Sequence, residues 1–71
     1  MTEKRLNNTI FLMYVATDAF IRRHSLSRSE FLALDEKYGI IHFIAECPDV
    51  FDSMTENEMV DELDEYIAHA A

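Results

Sequence analysis

Apolar residues recur at three- and four-residue spacing along most of this 71-residue chain, a pattern typical of helices that bury one face. The spacing predicts a first helix over Glu3–His24, a second over 27–38, a short third over 40–47 and a fourth from residue 55 onward. Residues 48–54 are predicted to connect the last two. We therefore expect an all-α single domain of four helices, with the two longer helices in one layer and the two shorter ones packed across it.

Two of the four helices begin with the same local signal. Ser27 and Glu30 have the spacing of a capping box, and Thr55 and Glu58 repeat it. In such a box the hydroxyl accepts a hydrogen bond from the amide three residues later, and the glutamate accepts one from the amide of the first residue. The flanking apolar residues predict two hydrophobic staples, formed by Leu26 with Phe31 and by Met54 with Met59.

Two residues mark helix ends. Gly39 follows the second helix and readily adopts the left-handed conformation that closes a helix. Pro48 disfavours helical geometry at Cys47, so it ends the third helix. Because the helix between these two signals is mostly apolar, we expect it to contribute to the core.

The inward stripes of the four helices predict the hydrophobic core. Its predicted members are Leu6, Ile10, Met13, Phe20, Leu26, Phe31, Leu34, Ile41, Ile44, Phe51, Val60, Leu63 and Ile67. Phe11 and Val15 interrupt the otherwise polar stripe on the opposite side of the first helix. A domain this small has little reason to place them in water, so they predict either a homodimer contact or a second buried face of that helix.

Charge divides the chain into two unlike parts. All six Lys and Arg residues lie at or before Lys37, together with five acids, which gives this part a net charge of +1. Nine carboxylates and no Lys or Arg follow from Tyr38 onward, so the whole chain carries −8. Such a surface repels nucleic acid and attracts cationic patches, so we expect a basic protein surface as the partner and no nucleic acid.

The fourth helix concentrates acids on the side opposite its apolar stripe, where Glu58, Asp61, Glu62 and Glu65 lie at helical spacing. They can form a solvated surface, a binding face for a cationic partner, or an acid–base or metal site. A carboxylate metal site needs inward-facing ligands from several helices, often with a His three residues away, and the pattern shows neither. We therefore expect no metal, cofactor or catalytic residue, and take these four residues as a hypothetical partner-binding face.

The remaining candidate chemistry is weak. Cys47 is the only cysteine, which predicts no internal disulfide and favours a cytoplasmic location. Residues 27–47 have the shape of a helix-turn-helix, but 40–47 contain no Lys, Arg, Asn or Gln to read base edges. The longest apolar run covers only 10–16, far short of the roughly 20 residues that span a bilayer.

Four motifs extend over most of the chain: Leu26-Ser27-x-x-Glu30, Tyr38-Gly39-Ile40-Ile41-x-Phe43-Ile44, Asp49-Val50-Phe51 and Val60-x-Glu62-Leu63-x-Glu65-Tyr66-Ile67. Together they resemble a family of very short bacterial proteins of unknown function. The genes of that family resemble companions of genes for ADP-ribosyltransferase-like, toxin-type enzymes. The resemblance implies an antitoxin or accessory role and supplies no catalytic residue.

These observations favour a non-enzymatic, acidic protein–protein interaction module. The alternative is a self-associating structural or regulatory domain that forms a homodimer through Phe11 and Val15. Ionic strength separates the two hypotheses, because electrostatic docking weakens with salt and an apolar dimer contact does not.

Overall fold

The computed structural model describes residues 3–70, with side chains from residue 7 onward. These residues form five helices and no strand: α1 (Glu3–His24), α2 (Arg28–Tyr38), α3 (Ile40–Glu46), α4 (Pro48–Phe51) and α5 (Glu56–Ala70). The all-α fold class is confirmed, and the four predicted helices are the four that have seven or more residues. The additional helix, α4, is a single turn in the expected connector, where Pro48 occupies the first helical turn and needs no amide partner there.

Both predicted capping boxes are present. Ser27 Oγ accepts from the Glu30 amide at 3.1 Å, and the Ser27 amide donates to the Glu30 carboxylate at 2.8 Å. The corresponding distances between Thr55 and Glu58 are 3.2 and 2.9 Å. The predicted end of α2 is also confirmed, because Gly39 has φ of 65° and its amide donates to the Asp35 carbonyl.

Contacts from α2 and from α5 hold the short helix α3 in place. Its amide at Ile41 donates to Oδ1 of Asp35 at 2.8 Å, which replaces the side-chain cap that Gly39 cannot provide. On the other side of α3, the rings of Phe43 and Tyr66 stack with their centroids 4.1 Å apart. The Tyr66 hydroxyl donates to the carbonyl of Tyr38, so α5 is joined to the end of α2 as well.

The core forms where α1 lies against α3, α4 and α5, and Phe31 adds the contribution of α2. Its buried apolar residues are Leu12, Ala16, Ala19, Phe20, Phe31, Ile40, Ile44, Phe51, Met59, Val60 and Leu63. Aromatic edge-to-face contacts connect it, between Phe20 and Phe31 and between Phe43 and Phe51. Several predicted core residues are half-buried and pack against this cluster: Met13, Leu26, Leu34, Ile41 and Ile67.

The rotation of α1 about its axis differs from the prediction. Ile10 was expected in the core, yet its side chain is 54% exposed, while Leu12 and Ala16 are buried. The error arises because all seven residues of 10–16 are apolar, so three- and four-residue spacing fits more than one face. The predicted core position Leu6 lies outside the side chains that the structure describes.

Candidate functional site

The first candidate surface is the acidic surface of α5, formed by Glu58, Asp61, Glu62 and Glu65. The structure leaves three of these side chains exposed and Glu62 half-buried. The opposite side of α5 enters the core, because Met59, Val60 and Leu63 are buried there. The four carboxylates therefore lie together on the outer side of the helix, as their spacing predicts.

The basic end of α1 lies beside this surface. Arg23 donates from Nη1 to Asp61 at 2.6 Å and from Nη2 to the carbonyl of Asn57 at 3.3 Å, and Asp64 lies 3.5 Å away. The hydrogen bond to Asp61 raises the pKa of Arg23 above its ordinary value. Asp61 is consequently engaged within the chain rather than left for a partner.

Two neighbours extend this contact between charged side chains. Arg22 bridges Asp18 in its own helix at 3.0 Å and Glu56 in α5 at 3.2 Å. His24 Nε2 lies 2.7 Å from a carboxylate oxygen of Asp64. The basic groups also suit the negative end of the α1 dipole. Sequence reasoning did not pair these residues, because their partners in α5 are 34–41 positions away along the chain.

The acidic surface that remains is smaller than predicted but still strongly negative. The carboxylate of Glu58 accepts a hydrogen bond from the backbone amide of Thr55, and this bond lowers the pKa of Glu58 below its ordinary value. Glu62 and Glu65 have no ion pair within residues 7–70. Over the whole of α5, six carboxylates and the two arginines of α1 that pair with them give a net charge of −4, with the histidines neutral.

The second candidate surface is an apolar groove between α1, α2 and α3, with a volume of about 530 Å³. Its lining residues are Met13, Tyr14, Thr17, Asp18, Ile21, Arg28, Phe31, Leu32 and Ile41. Tyr14 on α1 and Leu32 on α2 are 71% and 53% exposed, whereas Phe31 is buried. The groove is therefore an open apolar depression with one acid and one base among its lining residues.

An apolar ridge accompanies this groove along the outer side of α1. It consists of Ile10, Phe11 and Tyr14, which are all more than half exposed. The structure divides the residues predicted to mediate self-association, because Phe11 belongs to the ridge while Val15 packs against the core. The sequence pattern did not single out Tyr14 and Leu32. Their helices contain more apolar residues than one face can bury, and this excess could have indicated a second apolar face.

The remaining candidate residues are possible metal ligands, Cys47 and the histidines. Among the described side chains of residues 7–70, no group of three or more His, Cys, Asp and Glu is arranged to hold a metal ion. Cys47 is a half-buried free thiol, and His42 pairs with Glu46 on the surface at 2.9 Å. The described helices include none with the length and apolar character needed to cross a membrane.

Both candidate surfaces lie within the range of the chain that matches one protein family. The sequence model of the family described as "Protein of unknown function (DUF3791)" matches residues 11–69. No curated protein and no solved structure matches the chain. The matched range includes α2, α3, α4 and most of the two longer helices, so it covers the acidic surface and the lining of the apolar groove.

Proposed function

The chain belongs to the DUF3791 family, whose description names no activity, and we propose that it is a non-enzymatic protein–protein interaction module. The acidic surface of α5 is its binding site, and the partner presents a basic protein surface. The observation that carries the proposal is the charge that survives folding: α5 retains a net −4 after Arg22 and Arg23 have formed their ion pairs. Such a field attracts a cationic surface and increases the rate of association.

Glu62 and Glu65 are the side chains that the partner contacts first. They lie on the outer side of α5 and form no ion pair within residues 7–70, so binding breaks no internal ion pair there. Asp61 contributes less, because Arg23 already holds it at 2.6 Å. The motif resemblance makes an ADP-ribosyltransferase-like, toxin-type enzyme the first partner to test, with this chain in an antitoxin or accessory role.

The test is binding of this chain to a purified ADP-ribosyltransferase-like, toxin-type enzyme, measured by biolayer interferometry. We expect a Glu62→Gln, Glu65→Gln variant to bind with a dissociation constant about tenfold higher, mainly through a lower association rate. The matched control is a Glu36→Gln, Glu46→Gln variant, which removes the same charge from exposed positions elsewhere and leaves binding nearly unchanged.

Salt provides the second measurement. Raising the NaCl concentration from about 0.05 M to about 0.5 M should weaken the wild-type complex and bring it close to the double variant. An affinity that does not change with salt, or a control variant that loses as much binding as the Glu62 and Glu65 variant, would exclude the acidic surface as the binding site.

A further inference from the structure

We infer that two copies of this chain associate through the apolar groove, with the α1 ridge of each copy packed into the groove of the other. This goes beyond the proposed function, because it uses a different surface and a different partner. The first support is exposed apolar area. Ile10, Phe11, Tyr14 and Leu32 are each more than half exposed, and such a cluster marks an interaction surface in a small protein.

The shape of this region is complementary to itself. Tyr14 is the most exposed of the large apolar side chains in the described chain, and it stands on α1 at the edge of a groove of about 530 Å³. A projecting ridge next to a depression on the same face fits a two-fold arrangement, in which each copy contributes both parts. A second copy therefore covers the ridge and fills the groove in one contact.

Charge also selects a second copy as the occupant. Asp18 and Arg28 both line the groove, so a two-fold partner can place the acid of one copy opposite the base of the other. Arg28 forms no ion pair within residues 7–70 and is available for this contact, while Asp18 has a carboxylate oxygen to share beyond its bond to Arg22. Elsewhere two chains of −8 repel each other, so a self-contact belongs on this balanced face.

Sedimentation equilibrium of the whole chain tests the apolar part of the contact. We expect a concentration-dependent dimer that persists at high salt, since screening weakens the Asp18–Arg28 attraction but also the repulsion between the acidic copies. Tyr14→Glu and Leu32→Glu should each raise the dissociation constant about tenfold or more. Val50→Glu is the matched control, because Val50 is 46% exposed on α4, lies outside the groove lining and receives the same charge.

Charge reversal tests the two-fold pairing and does not depend on the apolar variants. Asp18→Arg and Arg28→Asp should each weaken self-association, because each places like charges opposite one another twice in the dimer. A mixture of the two variants should form a heterodimer of near wild-type affinity, since both facing pairs are then opposite in sign. Circular dichroism of each variant alone checks that the helices remain.

Three results would overturn the inference. One is a wild-type chain that stays monomeric at about 1 mM in about 0.5 M NaCl, as expected if another protein occupies the groove. Another is a dimer that Val50→Glu disrupts as strongly as Tyr14→Glu. The third is a mixture of reversal variants that associates no better than either variant alone. The salt response separates this inference from the proposed function, because docking to a cationic protein weakens with salt.

Discussion

The acidic surface of α5 is partly neutralised by the chain itself, whereas the apolar groove between α1 and α2 is left open to solvent. Arg22 and Arg23 reach across from α1 to bind Glu56 and Asp61. No comparable segment of residues 7–70 covers Leu32, which stays 53% exposed. The acidic surface therefore needs a partner of opposite charge, and the groove needs a partner with an apolar surface.

The physical difference lies in what water can do for each surface. Water solvates carboxylates well, so an acidic surface is stable without a partner, and its attraction for cations acts over roughly 10 Å at moderate salt. Exposure of apolar surface to water is unfavourable, and that free energy is recovered only when the side chain packs directly against another apolar surface. The acidic surface thus favours fast, salt-sensitive encounters, and the groove favours a contact that persists at high salt.

The largest expected effect is the loss of stability when a leucine of the core, rather than a leucine of the groove, is truncated. Leu63→Ala should lower the free energy of unfolding by about 2–5 kcal/mol, because Leu63 is fully buried in α5 and its removal leaves a cavity. Leu32→Ala should lower it by no more than about 0.5 kcal/mol, because the side chain is largely in water. Urea denaturation at low protein concentration measures both without a contribution from self-association. Equal losses would show that Leu32 is a core residue and that the groove is closed.

The next largest effect concerns the capping boxes that begin α2, beside the groove, and α5, which carries the acidic surface. Ser27→Ala at α2 and Thr55→Ala at α5 should each cost about 0.5–2 kcal/mol of stability, because each leaves a helix amide without its side-chain acceptor. Ser29→Ala removes the same hydroxyl from an exposed position in the first turn of α2 and serves as the control. Denaturation midpoints that remain unchanged in both capping variants would contradict the assigned helix starts.

Acid should weaken both helix starts. The amide hydrogen bonds of Ser27 and Thr55 lower the pKa of Glu30 and Glu58, respectively. The stabilisation is therefore present above the ordinary glutamate pKa of about 4.3 and is lost as the pH falls through the lowered value, because the unfolded chain binds the proton first. Glu58→Gln keeps the acceptor oxygen but not the charge, so its unfolding midpoint should fall less than that of the wild type between about pH 6 and pH 3. Parallel pH profiles would contradict this assignment.

The smallest effect concerns the neutralisation of the acidic surface. Arg23→Gln removes the ion pairs to Asp61 and Asp64, so the unfolding midpoint should fall at low salt and the loss should shrink at high salt. Exposed ion pairs stabilise proteins weakly, which is why this change ranks last. Arg28→Gln removes the same charge from a residue without an ion pair in the described chain and should show a smaller loss. A loss at Arg23 that is independent of salt would indicate a packing role for its side chain.

Local signals account for what could be predicted about the fold. The capping boxes, the helix end at Gly39 and the amphipathic stripe of α5 depend on residues only a few positions apart, and the structure confirms them. The single turn α4 was missed, because a Pro after an apolar helix indicates a stop more strongly than a new start. The spacing of the acids predicted the acidic surface of α5, but it did not predict that Arg23 would pair with Asp61.

The sequence by itself determined the four longer helices, their start and end points and the segregation of charge, because hydrogen bonding within one turn and the order of residues decide these features. Only the tertiary structure decided which face of α1 is buried, leaving Ile10 and Tyr14 outside and Leu12 inside. It also brought Arg23 to Asp61 and the Tyr66 hydroxyl to the carbonyl of Tyr38. Such contacts join residues far apart in the chain, and their geometry depends on how whole helices pack.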